Sequence, residues 1–356
     1  MSLRYNRQTI LKGFGAEGQK KLADAKVLVI GAGGLGVPVL TYLNAMGVGT
    51  LGIVDADVVS LSNLHRQVLY NEMDVGKSKA AVALEKLNAQ NSATKISIKD
   101  TFLTRENALE IIKGYDLVVD ATDNFPTRYL INDVCVILKK SFVYGALHGF
   151  EGQVSVFNYQ GGPTYRCLFP NMPTAEEIPN CNEHGVLGVI PGIIGNLQAL
   201  ETVKVLTGIG EVLSGKLLLF NGLDQSYQKI KFSAIPGYLK VNALQEDYNL
   251  KCNSSGNIIE AIEVEKLLLS DNIQVIDVRS VQEYEQFHLK NTLNHPLDEI
   301  GIWKDAIDYK IPIYLICQVG IRSQKALLYL QKHNSNATLF NVNGGINQLG
   351  LHVTKY

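Results

Sequence analysis

The chain reads as an α/β protein in two units. Short β-branched runs alternate with segments of helical periodicity in both halves, the pattern of parallel strands joined by crossover helices. A polar, irregular stretch from Gln245 to Asn257, ending Asn253-Ser254-Ser255-Gly256-Asn257, interrupts that alternation. The 356 residues also exceed one ordinary core. These observations place a first domain at residues 1–245, a linker at 246–256 and a second, smaller α/β domain of about 100 residues at 257–356.

In the first unit, Val27 to Ile30 is an apolar strand that enters a Gly-rich turn. The helix after it ends near Gly47, and Leu51 to Val54 is the next strand. Ala80, Ala83, Leu84 and Leu87 share one face of a helix from Lys77 to Asn91. Strands follow at Asp116–Asp120 and Phe142–Gly145, with a helix between them that carries Pro126 near its start, where a missing N–H costs nothing. From Gln153, Val154 and Val156 alternate with Ser155, which predicts antiparallel strands and hence a mixed sheet. In the second unit the pattern predicts a helix at Ala261–Leu269, strands at Ile273–Asp277 and Ile313–Ile316, a helix from Arg322 and a strand at Thr338–Val342.

An apolar fraction of 46%, a charged fraction of 19% and a formal net charge of -1 give no basic bias toward nucleic acid and no disorder-type charge excess. The start Met1-Ser2-Leu3-Arg4-Tyr5-Asn6-Arg7 has no apolar signal region. The apolar stretches are broken by glycines and by Pro38 or Pro191, so a cytoplasmic protein without a membrane span is expected. Five widely spaced cysteines form no disulfide framework and fit a reducing compartment.

Gly31-Ala32-Gly33-Gly34-Leu35-Gly36 follows a strand and opens a helix, so its N–H groups and the helix dipole face a phosphate. Asp55 ends the next strand, where a carboxylate accepts from ribose hydroxyls. These features alone suit a Rossmann-like dinucleotide fold. Ser62-Asn63-Leu64-His65-Arg66-Gln67, Gly76-Lys77-Ser78-Lys79 and Asp120-Ala121-Thr122-Asp123-Asn124 discriminate, because a triphosphate attacked at its α-phosphate needs cations and a carboxylate-held Mg²⁺, and NAD chemistry does not. Arg66, Lys79 and Asp123 fit those roles. Taken singly, Arg66 or Lys79 also fits a solvated helix face.

Together with Arg4-Tyr5-Asn6-Arg7-Gln8 and Gly185-Val186-Leu187-Gly188, these motifs resemble the MoeB/ThiF adenylyltransferases, relatives of the ubiquitin-activating enzymes, over residues 1 to 232. The resemblance implies ATP on the loop of Gly31, Gly33, Gly34 and Gly36, and Asp55 on the ribose. It implies Asn63, Arg66, Gln67 and Lys79 at the nucleotide, and Mg²⁺ on Asp123. It also implies a homodimer in which Arg7 reaches the neighbouring protomer's site, against a bland reading of Arg7 as a surface ion pair. The substrate it implies is a ubiquitin-like sulfur carrier of the MoaD/ThiS type ending in Gly-Gly. Its carboxylate, once joined to AMP, becomes open to a sulfur nucleophile.

Relatives carry zinc on two Cys-x-x-Cys pairs. Here Thr164-Tyr165-Arg166-Cys167 and the segment Asn249 to Cys252 keep one cysteine each, so no zinc site is expected. The resemblance places Cys181, within Pro179-Asn180-Cys181-Asn182-Glu183-His184, at a cysteine that holds the carrier transiently; an inert loop thiol is the alternative. Cys135, inside Val134-Cys135-Val136-Ile137-Leu138, reads as a small buried hydrophobe.

Cys317-Gln318-Val319-Gly320-Ile321-Arg322-Ser323 joins a strand to a helix, a place where backbone N–H groups stabilise a thiolate or persulfide. With Asp277-Val278-Arg279, Glu283-Tyr284 and Asn343-Gly344-Gly345-Ile346 it resembles the rhodanese active loop over residues 257 to 356. Four residues separate Cys317 from Arg322, against five in related phosphatases. The resemblance therefore favours sulfur over phosphate, with Cys317, Gly320 and Arg322 as the loop. Eukaryotic fused enzymes carry Asp at the Arg322 position, so this loop resembles a general thiosulfate-type rhodanese, and the donor stays open between thiosulfate and a cysteine desulfurase. His288 reads as structural. The implied function is adenylation of the carrier followed by sulfur transfer to a thiocarboxylate. An NAD-dependent redox enzyme with a sulfur-sensing domain and a non-catalytic scaffold for ubiquitin-like proteins are the alternatives. Whether the product serves molybdopterin, thiamine, cysteine or tRNA thiolation is left open.

Overall fold

A computed structural model describes residues 3–173, 185–246, 248, 257–267, 273–318 and 320–348. It divides into two compact units, the first reaching residue 250 and the second following it. The 246–256 linker and Cys252 lie almost wholly or wholly outside the described residues, as do Cys181 and His184.

The first unit carries β1 (Lys26–Ile30), β2 (Thr50–Val54), β3 (Lys95–Lys99), β4 (Leu117–Asp120), β5 (Ser141–His148), β6 (Glu151–Phe157), β7 (Lys216–Asn221) and β8 (Ser226–Lys231). They form one mixed sheet in the order β3-β2-β1-β4-β5-β6-β7-β8, parallel from β3 to β5 and antiparallel from β5 to β8. Helices α1 (Asn6–Thr9), α2 (Gly15–Asp24), α3 (Gly36–Ala45), α4 (Lys79–Gln90), α5 (Ala108–Lys113), α6 (Phe125–Ile137), α7 (Tyr165–Leu168) and α8 (Val189–Thr207) complete it. One face of the sheet packs Val27, Val29, Leu40, Leu43 and Ile194; the other packs Leu28, Ile30, Tyr129, Phe142 and Phe157. Covering on both faces is why the parallel strands read as continuous apolar runs.

Caps set the helix limits. Ser78 Oγ accepts from Ala81 N at 3.3 Å, so α4 starts at Lys79 and not at Lys77. Asn124 Oδ1 accepts from Thr127 N at 2.9 Å and starts α6, with Pro126 in its first turn. The alternation in β6 has another cause than a wet face: Ser155 is fully buried, and its hydroxyl donates to the Leu213 and Lys216 carbonyls at 3.2 and 2.9 Å. Helix α8 is long and apolar enough to cross a membrane by length and composition, yet Ile190, Ile194, Ala199 and Val203 bury one side of it in the sheet's core.

The second unit is a parallel sheet of β9 (Asn257–Glu260), β10 (Gln274–Asp277), β11 (Leu293–Asn294), β12 (Ile313–Ile316) and β13 (Leu339–Asn343), in the order β11-β10-β12-β13-β9. Its helices are α9 (Ala261–Leu267), α10 (Val281–Gln286), α11 (Ile300–Trp303) and α12 (Ile321–His333). Ile313 and Leu315 pack on Trp303, Leu327 and Leu330, while Tyr314 and Ile316 pack on Val264 and Val342.

The parallel registers position the site. Ile30 lies beside Val54 on one side and Asp120 on the other, so three strands end on one edge of the sheet. At that edge a Cβ on Gly36 would stand 1.9 Å from the Gly31 carbonyl oxygen, a backbone atom that cannot yield. Gly36→Ala is expected to cost about 3 kcal/mol, seen as a lower denaturant midpoint at unchanged slope.

Candidate functional site

Gly31 has φ +97°, and a Cβ there would lie 2.6 Å from the Ala121 carbonyl oxygen, so only glycine lets the turn after β1 pass the end of β4. Gly31 N–H donates to Val54 O and Ala121 N–H to Ile30 O, both at 2.9 Å, fastening the three strand ends together. The turn feeds α3, whose first N–H groups have no acceptor within the helix and face the same edge.

Asp55 follows β2 and is tied back to the turn. One carboxylate oxygen accepts Ala32 N–H at 2.7 Å and the other accepts Asp57 N–H at 2.8 Å, each keeping a lone pair for a ribose hydroxyl. Burial pushes this carboxyl up, opposed by the Lys79 ammonium. Lys79 itself is 5% exposed and bonds Asp57 Oδ2 at 2.9 Å, so the solvated-face reading of this lysine does not hold. Tyr70, buried, donates to the Ala32 carbonyl at 2.9 Å and stiffens the same turn.

Arg66 Nη2 and Gln67 Nε2 both donate to Asn63 Oδ1, at 2.9 and 3.1 Å, so Asn63 holds the two side chains side by side. A Cβ on Gly34 would meet Pro191 at 3.1 Å and the Arg66 stem at 3.5 Å, which sets Arg66 over the Gly-rich turn. Partial burial lowers the Arg66 pKa and the nearby Asp123 charge opposes this. Gly188, the cap of α8, passes so close to the His65 carbonyl that a Cβ would sit 2.2 Å from it. The Gly185 to Gly188 motif is thus a backing for the Arg66 segment.

Asp123 is exposed at the end of β4. Its neighbour Thr122 is fixed from two sides. Asp120 Oδ1 accepts the Thr122 N–H and hydroxyl at 3.0 and 2.7 Å, and Arg128 Nη2 donates to the Thr122 carbonyl at 2.9 Å. An accessible carboxylate of hard oxygen donors beside a phosphate-facing turn is a fitting Mg²⁺ ligand. The structure thus brings Gly31 to Gly36, Asp55, Asn63, Arg66, Gln67, Lys79 and Asp123 to one edge. Reading the sequence missed Asp57 and Tyr70, whose partners Lys79 and Ala32 lie 22 and 38 positions away, and Arg128, which reaches six residues back to the Thr122 carbonyl. Only Asp57, two residues past Asp55, carried a local signal.

Arg7 is not at this edge of its own chain. Gln8, its neighbour, donates to Met46 O at 2.9 Å, just past the C-terminal end of α3. That end is the opposite one from the Gly-rich turn, about 15 Å along the helix. Cys167 Sγ accepts from Ile235 N at 3.2 Å, and Cys135 is a fully buried apolar-cluster residue whose thiol burial pushes upward in pKa.

In the second unit Cys317 follows β12 and is 1% exposed. Its sulfur accepts from Gly320 N–H at 3.1 Å and Ser323 Oγ at 3.4 Å. Gly320 has φ +92° and caps α12, which begins at Ile321, one residue before the expected start. Arg322 makes a two-pronged ion pair with Glu283, both N–O distances 2.6 Å. His288 bonds the Tyr284 carbonyl at 2.8 Å and stacks on that ring, a structural role.

The two sites define a class: an α/β nucleotide-binding enzyme joined to a cysteine-loop sulfur-handling domain. The ThiF family model matches residues 5–237 and the rhodanese-like domain model residues 260–351; the chain belongs to the ThiF family and carries a C-terminal rhodanese-like domain. It is 41% identical to "Adenylyltransferase and sulfurtransferase MOCS3" of Culex quinquefasciatus, over 92% of this chain and 81% of the relative. It is 54% identical to "Sulfur carrier protein adenylyltransferase" of Thermus thermophilus, over 64% of this chain and 86% of the relative. The crystal structure of E. coli MccB with ATP shares the fold at TM-score 0.58 and 22% identity, covering 66% of this chain and 73% of that one.

The Glu283 pair gives stability a pH dependence. Burial alone would push this carboxyl up, but the Arg322 hydrogen bonds and charge, helped by Ser280, hold it at about 2. A depressed carboxyl stabilises the fold above its unfolded pKa, about 4.3, and loses that contribution as pH falls toward 2. With the Glu283 side chain 36% exposed, screening leaves the effect on the order of 1 kcal/mol. The emission of Trp303, the single tryptophan, reports this unit. Glu283→Gln is expected to lower its unfolding midpoint at pH 7, with the gap to wild type closing progressively between about pH 5 and 2.

Proposed function

We propose that this protein uses ATP to adenylate the C-terminal glycine of a ubiquitin-like sulfur-carrier protein, and that Cys317 of its rhodanese-like domain delivers sulfur to the activated carbon. The observation that carries the first step is the convergence of Asp55, Arg66 with Asn63, Lys79 with Asp57, and Asp123 on three fastened strand ends. A dinucleotide redox site has no use for that set of cations and carboxylate.

In this reading the turn of Gly31, Gly33, Gly34 and Gly36 holds phosphate oxygens on backbone N–H groups, and Asp55 holds the ribose. The carrier's carboxylate attacks the α-phosphorus and pyrophosphate leaves. Arg66, held over the turn and partly desolvated, and Lys79 stabilise the charge that builds on the phosphates. Asp123 would hold Mg²⁺, which would further neutralise the phosphate oxygens. Asp120 and Arg128 keep the Asp123 backbone still from below. The terminal sulfur of a Cys317 persulfide then attacks the acyl carbon, and AMP leaves. A second thiol, for which Cys181 is the candidate, then attacks Cys317 Sγ: a disulfide to Cys317 forms as the S–S bond to the acyl sulfur breaks, the thiocarboxylate leaves, and an external thiol reduces the disulfide before the next turnover. Covalent linkage of the two domains raises the concentration of persulfide near the adenylate.

Arg7 acts on the partner protomer of a homodimer. Its anchoring by Gln8 at the far end of α3 supports this, because that end is remote from its own turn. Asp123→Ala is expected to lower carrier-dependent ATP/pyrophosphate exchange at least about 100-fold. Mixing Arg7→Ala with Asp123→Ala subunits should restore about a quarter of wild-type exchange, since half the dimers then carry one intact site. No recovery would place Arg7 in its own subunit's site. Cys317→Ala should leave exchange intact and abolish thiocarboxylate formation, read by the carrier's intact mass.

A further inference from the structure

Among the described residues, Arg322, Glu283, Arg279 and Asp277 lie about the Cys317 loop, and they pair two by two. Arg322, at the loop's end, gives both terminal nitrogens to Glu283 at 2.6 Å. Arg279 gives Nε and Nη2 to Asp277, at 3.0 and 2.7 Å, and its remaining nitrogen to Gln318, the residue after Cys317, at 3.1 Å. Asp277 pairs in register with Ile316, so the second pair stands beside the residue before Cys317. A two-pronged carboxylate commits the guanidinium's fork and cancels most of its field at the distance of a bound ligand. The loop's N–H groups and the start of α12 are then what holds a donor, with only a partial positive charge. Thiosulfate brings two negative charges to a thiolate, whereas a persulfide brings at most one.

We propose that Glu283 is a specificity-determining residue for the sulfur step: by neutralising Arg322 it disfavours thiosulfate and makes a persulfide the donor to Cys317. The proposal rests on the sulfur-transfer reading above and names its donor class. It reverses the thiosulfate-type expectation drawn from Arg322 alone, because the ion pair joins residues 39 positions apart. In the step, the Cys317 thiolate attacks the outer sulfur of the donor persulfide. The donor's S–S bond breaks as a new one forms at Cys317, and the donor thiolate leaves and takes up the proton. One S–S bond is exchanged for another, so no oxidant or reductant is consumed.

The test uses the full chain and follows Cys317 persulfide by intact mass. The donors are thiosulfate, glutathione persulfide, and a cysteine desulfurase charged with cysteine, the last two separating a small from a protein-borne persulfide. Glu283→Gln, which frees Arg322, is expected to lower the KM for thiosulfate about five- to tenfold, with less than about a twofold change for either persulfide. Glu283→Gln with Arg322→Gln should return the thiosulfate KM to within about twofold of wild type. Thiosulfate loading the wild type at concentrations as low as a persulfide does, or Glu283→Gln leaving the thiosulfate KM unchanged, overturns the proposal. If Trp303 emission shows that Glu283→Gln does not fold, the double variant decides alone: a thiosulfate KM raised more than about fivefold means that Arg322 binds thiosulfate in the wild type, and the proposal fails. Failure of every donor to load wild-type Cys317 would instead sink the sulfur-transfer reading itself.

Discussion

The parallel registers of β1 with β2 and β4 are the constraint on which the first unit depends. They bring Ile30, Val54 and Asp120 level, so that the residues just beyond them, Gly31, Asp55 and Ala121 to Asp123, are neighbours although they span some ninety positions of sequence. Two backbone hydrogen bonds, Gly31 to Val54 and Ala121 to Ile30, then turn proximity into fixed geometry. A nucleotide site built this way stands on strand ends covered by apolar packing on both faces, the kind of support that holds reacting groups within a fraction of an ångström. Glycine at 31 and 36 is a consequence of the same crowding, because at both positions the next backbone atom is already where a Cβ would go.

Electrostatics follow from that packing. Asp55, Lys79 and Arg66 are all partly or wholly withdrawn from water, and each is held by a partner that is itself positioned: Ala32 and Asp57 for Asp55, Asp57 for Lys79, Asn63 for Arg66. Charges desolvated in this way are poor stabilisers of a fold and effective stabilisers of a ligand's charge. The second unit differs in its arginines: Arg66 is held by the neutral Asn63 amide, whereas Arg279 and Arg322 each give two nitrogens to a carboxylate, and the cysteine loop is left to backbone N–H groups.

Much of this was legible in the sequence where the signal is local. The apolar runs of β1, β2 and β4, the Gly-rich turn, Pro126 at the start of α6 and the Cys317 loop each declare themselves within a dozen residues. The edge strand β3, Lys95–Lys99, and the short β9 and β11 were missed because none is a buried apolar run. The alternation around Ser155 did mark antiparallel strands, but it did not reveal that Ser155 is buried against the Leu213 and Lys216 carbonyls. Asp57, Tyr70 and the Glu283 pairing escaped for a common reason: each acts through a partner 22 to 39 positions away that only the fold brings near.

Adenylation of a carrier protein is the central claim, and ATP/pyrophosphate exchange by the wild-type chain tests it most directly. Labelled pyrophosphate should enter ATP only when a ubiquitin-like carrier with a free C-terminal Gly-Gly carboxylate is present, and not when that carboxylate is amidated. Exchange that is absent with every such carrier, or that proceeds equally without one, would contradict the account.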